Sequence, residues 1–202
     1  MPKIRQKARS GERARSIYEL KVTLIDSRPP IWRRVQVESG VTLDRLHHTL
    51  QTVMGWSDSH MHGFRVRQLS QPGSRPRWLS VESADEKTTR LSDLLRRARD
   101  WCVYDYDFGD GWEHQLLLEE ILARVPSARY PAVRAGRGAC PPEDVGGLPG
   151  YYHFLEVMND TRHPEHEDMR EWAGGKFDPS AFDAHEINRA FHGGWAPRRP
   201  DA

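Results

Sequence analysis

Residues 104–114, YDYDFGDGWEH, decide the fold. One alternating run, 101–108, leads into this stretch and a second, 112–119, leads out of it. Period-two alternation marks strands with one buried face. Between the runs, Gly109, Asp110 and Gly111 supply positive φ at low steric cost, as a tight hairpin requires. Two registers are open. An Asp110-Gly111 turn pairs Phe108 with Glu113 and Asp107 with His114. A Gly109–Gly111 loop pairs Phe108 with Trp112, Tyr106 with His114, Tyr104 with Leu116 and Cys102 with Leu118. The second keeps apolar side chains opposite one another and is the expected one, because a one-residue slip turns every side chain to the wrong face. It also sets Asp105 opposite Gln115 and Asp107 opposite Glu113. Facing acids repel, so such a pair belongs in water or around a cation, and hard cations prefer carboxylate oxygens.

Upstream, Ile17–Leu24 alternates, with Tyr18, Leu20, Val22 and Leu24 on one face. Residues 31–37 resume the pattern with Ile31, Arg33, Val35 and Val37 on one side, and Arg28-Pro29-Pro30 forces an extended turn between the two strands. The period then becomes helical through Leu43, Leu46, Leu50, Val53 and Met54, with Thr42 as N-cap, Asp44 in the first turn and Gly55 at the end. A third strand is predicted over 61–68, a polar Gly/Pro loop over 70–77 and a short helix over 91–98. Residues 124–150 are rich in Gly and Pro and lack periodicity, and loops of that length are uncommon unless functional or mobile. Three helices close the chain. The first covers 151–158, the second starts at Pro164 and stops before Gly174-Gly175, and the third has Asp178 as N-cap, Pro179 at its first position and Gly193 beyond its end. The expected class is α+β: a mixed, mainly antiparallel sheet with a packed helix after the first hairpin (a β-β-α-β start), a central β-hairpin and a helical C-terminal segment. One domain over 16–193 is expected between a disordered basic arm, 1–15, and a frayed tail, 194–202.

Composition narrows the function classes. The 202 residues suit one domain, and a mean hydropathy of −0.77 with no long apolar run argues against a membrane helix, which needs roughly 18 apolar residues. The basic N-terminus lacks the apolar stretch of a secretory signal. Two cysteines, Cys102 and Cys140, make neither a disulfide framework nor a CxxC zinc pattern. A cytoplasmic protein is expected. No GxxxxGK[ST] or GxGxxG occurs, so a nucleotide cofactor has no signature. The arm carries Lys3, Arg5, Lys7, Arg9, Arg13 and Arg15 against Glu12, a net +5 that leaves the remainder at −4 under the overall +1. Such an arm adds sequence-independent affinity for phosphate backbones; its plainer role is a solubilising tail.

Five segments, RPPIWRRVQV (28–37), TLDRLHHTLQTVMGWSDSHMHGF (42–64), YDYDFGDGWEH (104–114), ACPPEDVGG (139–147) and HPEHEDMREWAGGKFDPSAFD (163–183), resemble the plasmid pRiA4b ORF-3-like proteins, which include passenger proteins of some bacterial insertion sequences. The resemblance spans about residues 17–192 and leaves the basic arm outside. It implies an α+β domain found mostly in bacteria and on mobile elements, and it implies no reaction.

The chemistry-bearing residues gather around the hairpin. His60 and His62, at i and i+2, share a face if they lie on a strand. Together with His114 they form a donor set suited to a divalent transition metal, the one cofactor the pattern admits. The candidate polar pocket adds Asp105, Asp107 and Glu113, with Cys140, Glu143 and Asp144 folding over from the long loop. Without HExxH or paired CxxC, hydrogen-bonded structural histidines are the plainer reading. A Cys140 nucleophile would need His114 or His60 to lower its pKa. Arg28, Arg33 and Arg34 around Trp32 suit nucleic acid, unless Trp32 is core and the arginines pair with the acidic body. The expected function is a non-enzymatic binding or accessory protein contacting nucleic acid or a partner protein. The alternative is a metal-dependent hydrolase, in which a bound ion lowers the pKa of water.

Overall fold

The computed structural model describes residues 16–68 and 77–193, so the basic arm, most of the Gly/Pro loop and the C-terminal tail lie outside the described residues. Seven strands form one antiparallel sheet: β1 Ile17–Leu24, β2 Trp32–Glu38, β3 His62–Gln68, β4 Arg77–Val81, β5 Trp101–Tyr106, β6 Trp112–Leu122 and β7 Ala132–Arg137. Their spatial order is β4-β3-β5-β6-β1-β2-β7. Five α-helices accompany them: α1 Leu43–Met54, α2 Leu91–Leu94, α3 Gly147–Asn159, α4 His166–Trp172 and α5 Ala184–His192. This is the α+β class expected, with the β-β-α-β start in place.

The sheet is one-sided because its strands alternate. Tyr18, Leu20, Val22 and Leu24 of β1, Val35 and Val37 of β2, and Leu116 and Leu118 of β6 are almost wholly buried. Leu43, Leu46, Leu50, Val53 and Met54 of α1 join them in the same core. Truncating a fully buried leucine such as Leu46 to alanine costs about 2–5 kcal/mol. Gly55 ends α1 in the left-handed conformation, its N–H returning to the Gln51 carbonyl. Thr42 stands at the N-cap without a side-chain capping bond. The carbonyl of Glu86 takes that role, accepting from the Leu43 and Asp44 N–H groups at 3.1 and 3.3 Å, and this anchors Glu86 beside α1.

Several local expectations are corrected. The central hairpin pairs Tyr104 with His114, Asp105 with Glu113 and Tyr106 with Trp112, so the loop spans five residues, 107–111, and neither predicted register holds. Asp107 is the reason. It adopts a φ of 52°, its Oδ1 accepts from the Gly109 and Asp110 N–H groups at 2.9 and 3.3 Å, and its carbonyl accepts from Gly111. The register differs from the preferred one by two residues, so every side chain keeps its face. The third strand starts at His62, leaving His60 in the preceding loop. Two edge strands lie outside the expected elements: β4 begins at the end of the Gly/Pro loop and runs into a stretch with no assigned element, and β7 falls inside the expected long loop 124–150; each pairs on one side only, and their short sequences alternate weakly. Asp178 does not cap the last helix: it folds back onto the Ser180 N–H and hydroxyl at 2.8 and 2.7 Å, while Asp183 caps α5 through His185 and Glu186. Trp32 lies half-buried on the outer face with Lys21 and Arg34 over its ring, and Arg33 is the residue that enters the core.

Candidate metal centre

The site forms where the loop between α1 and β3 meets strand β5 and the loop before α3. Trp56 anchors this loop: it is buried, and its indole N–H donates to the Pro141 carbonyl at 3.0 Å. Glu143 then ties three segments together. Its carboxylate accepts from the Ser57 N–H at 2.9 Å, from the Ser57 and Ser59 hydroxyls at 2.6 and 3.2 Å, and from the Tyr106 hydroxyl at 2.5 Å. The hairpin tip packs on the start of α3, where a Cβ on Gly147 would lie 2.5 Å from the Asp110 carbonyl oxygen; Asp110 also accepts from the Gly146 N–H.

Beneath this scaffold lies a partly buried group of two imidazoles and two carboxylates: His47 and Glu86 are buried, His62 is half-buried and Asp58 is exposed. His47 comes from the inner face of α1, one turn before Gln51. Gln51 donates to the Tyr104 hydroxyl at 3.0 Å, and His47 Nδ1 lies 2.8 Å from the same oxygen. His47 Nε2 is 2.7 Å from Asp58 Oδ1, and Asp58 is itself held by its N–H on the Gln51 side-chain oxygen. The His62 ring stacks on His47 with centroids 3.5 Å apart, and its Nε2 is 2.9 Å from Glu86 Oε2. Burial, and then the neighbouring His62, pull the His47 pKa down to about 4, so at pH 7 it is the neutral imidazole that binds metals. Donor atoms of His47, Asp58 and His62 all lie within 4.8 Å of one another. Adjacent ligands on an octahedral ion with 2.1 Å bonds are about 3 Å apart; His47–Asp58 at 2.7 Å is of that order, while Glu86 stands outside the three-donor cluster and meets it through His62 at 2.9 Å. Glu86 is only 3% exposed, and its Oε1 has no hydrogen-bond partner among the described residues. His62 lines a groove of about 670 Å³ bounded also by Phe108 and Met61, which gives the group a route to solvent.

A second, open group stands beside it. His60 Nε2 is 3.0 Å from Asp144 Oδ1 and 3.7 Å from Asp107 Oδ2. Asp107 is committed to the hairpin turn through Oδ1, which leaves Oδ2 for this contact. Asp144 is exposed.

The residues singled out in the sequence therefore divide. His60, Asp107 and Asp144 meet, with Glu143 beside them; His62 belongs to the other group; His114 belongs to neither, so among the described residues the fold does not gather His60, His62 and His114 into one donor set. Packing explains this: His114 is fully buried with its ring edge-on to Trp56, and burial lowers its pKa to about 4. Asp105 and Glu113 face each other on the outer side of the sheet, and the cation between them is the Arg65 guanidinium, 2.5 Å from Asp105 and 2.6 Å from Glu113. Burial pushes the Cys140 thiol well up, which leaves it protonated and removes the thiolate a nucleophile would need. Arg33 is buried, Arg34 is paired with Glu119 at 2.6 Å, and Arg28 is exposed; Lys3, Arg5, Lys7 and Arg9 lie outside the described residues. Sequence reading missed His47, Asp58 and Glu86. His47 and Gln51 did leave a signal, being polar residues four apart in the apolar phase of α1. Glu86 left none, because its segment has no periodicity.

A seven-stranded antiparallel sheet with helices on its apolar face makes the described residues an α+β fold. The chain belongs to the plasmid pRiA4b ORF-3-like protein family, whose model matches residues 16–186. It is 36% identical over 176 residues to the uncharacterized protein y4hQ of Sinorhizobium fredii, covering 87% of this chain and 90% of the relative. It is also similar to the crystal structure of MM3350, a protein of unknown function from Methanosarcina mazei Go1, with a TM-score of 0.75 and 38% identity over 85% of this chain and 97% of that one. Among the described residues no helix is long and apolar enough to cross a membrane.

Proposed function

We propose that this protein is an accessory protein that acts by binding a divalent transition metal, held by His47, His62, Asp58 and Glu86. One observation carries the reading: Glu86 is a buried carboxylate with an unpartnered oxygen, and it faces the His62 imidazole rather than a lysine or arginine. Burying an unpaired charge costs several kcal/mol, and a dication shared by two carboxylates removes that cost. Two imidazoles favour zinc, copper, nickel or iron over magnesium or calcium. An accessory role fits a family named after a plasmid open reading frame. A binding role is favoured over hydrolysis because Glu143, the carboxylate that ties down the Ser57–Ser59 loop next to Asp58, already accepts four hydrogen bonds and has little capacity left to act as a base.

The test is a calorimetric titration of chelator-stripped protein with Zn²⁺ and Mn²⁺. One high-affinity site is expected, weakened at least about tenfold, roughly 1.4 kcal/mol, by Glu86→Gln or His62→Ala and left intact by His60→Ala. Equal affinity in wild type and Glu86→Gln would remove the partly buried group as the site. Loss confined to His60→Ala would move the ion to the open group.

A further inference from the structure

A separate cavity of about 950 Å³ lies where the C-terminal end of α1 meets α5. Arg33 forms part of its wall although that side chain is only 3% exposed. Its Nη1 donates to the carbonyls of Trp32 and Arg137 at 2.9 and 3.0 Å, and its Nε to Val53 at 3.4 Å. Nη2 donates to no acceptor among the described residues, and no carboxylate there pairs with the guanidinium. Phe182 packs its ring 4.8 Å from the guanidinium carbon. That ring sits on Gly136, where a Cβ would come within 2.5 Å of it. A guanidinium stays protonated even when burial lowers its pKa, as it does here. Arg33 is thus a buried cation held by carbonyls and one ring, with no described carboxylate at ion-pair distance although Asp183 and Glu186 stand on the same cavity wall, and a buried charge is costly unless an anion meets it.

We propose that this cavity binds an organic monocarboxylate, its carboxylate on Arg33 and its apolar body along Val53, Met54 and Ile187. The volume is that of a small-molecule site, and guanidinium–carboxylate pairing is charge-assisted. Asp183 and Glu186 also line the cavity, which disfavours a phosphate dianion.

Titration of the full chain with benzoate and octanoate, followed by calorimetry and thermal shift, tests this, with inorganic phosphate and octanol as comparison probes. Saturable binding of a carboxylate is expected, about tenfold or more weaker in Arg33→Met and lost in Ala190→Trp. The second variant fills the cavity and leaves the guanidinium in place, so it decides the matter should Arg33→Met fail to fold. Absence of saturation by either acid, undiminished binding in Ala190→Trp, or tighter binding of phosphate or octanol would overturn the proposal.

Discussion

At the scale of single residues, the core contains ionisable groups held in their neutral forms, and they make stability depend on pH. His114 is fully buried, and among the described residues neither ring nitrogen makes a well-formed hydrogen bond, the backbone of Tyr104 and Trp112 only partly offsetting its burial. Its pKa falls from the ordinary 6.5 to about 4, by burial first. Between those values the unfolded chain takes up a proton that the folded chain refuses, so stability rises with pH across that window and is lost as pH falls from 6.5 towards 4. The slope approaches about 1.4 kcal/mol per pH unit for each such proton. Urea midpoints of metal-free protein between pH 7 and 4.5 are expected to fall, and His114→Phe should flatten that decline. An unchanged slope in the variant would show that His114 does not resist protonation. His47 reaches a similar value by similar means, burial first, but it also contacts the Asp58 carboxylate, which suits it to the ligand role proposed for it.

At the scale of elements, the hairpin and the outer face of the sheet show how one side chain stabilises an arrangement that strand pairing alone disfavours. Asp105 and Glu113 are directly opposed, and Arg65 from β3 reaches across to both. Arg65→Ala leaves two facing acids, so a loss of roughly 1 kcal/mol is expected in chemical denaturation, larger at low salt and recovered in Glu113→Gln. Equal stability of the single and double variants would mean that solvent already screens the pair. Much of this element-level structure was legible. The alternation of β1, β5 and β6 and the helical phase of α1 are patterns of burial, and burial is written in residue type. The hairpin loop length was not legible, because Asp107 closes the turn with its own carboxylate and the glycines alone suggest a shorter one. The edge strands β4 and β7 were hidden for a related reason: a strand with one partner needs little alternation.

At the scale of the whole molecule, segments far apart in the chain meet at one end of the sheet. His47 on α1, Asp58 and His62 around the start of β3, and Glu86 after β4 meet above Tyr104 of β5, and the open group at His60 lies alongside. The pair His60 and His62 pointed to the right region but joins two different donor groups, since the strand begins only at His62. Glu86 was invisible in sequence because tertiary contact alone places it: its backbone carbonyl caps α1, and its carboxylate is thereby carried to His62. The account stands or falls on an ion at that place. Crystals of the full chain grown with Zn²⁺ and measured at the zinc absorption edge test it most directly. The expected result is an anomalous peak within bonding distance, about 2.0–2.2 Å, of His47 Nε2, His62 and the Asp58 and Glu86 carboxylates. A zinc-saturated crystal with no peak there, or with one only at His60, Asp107 and Asp144, would contradict it.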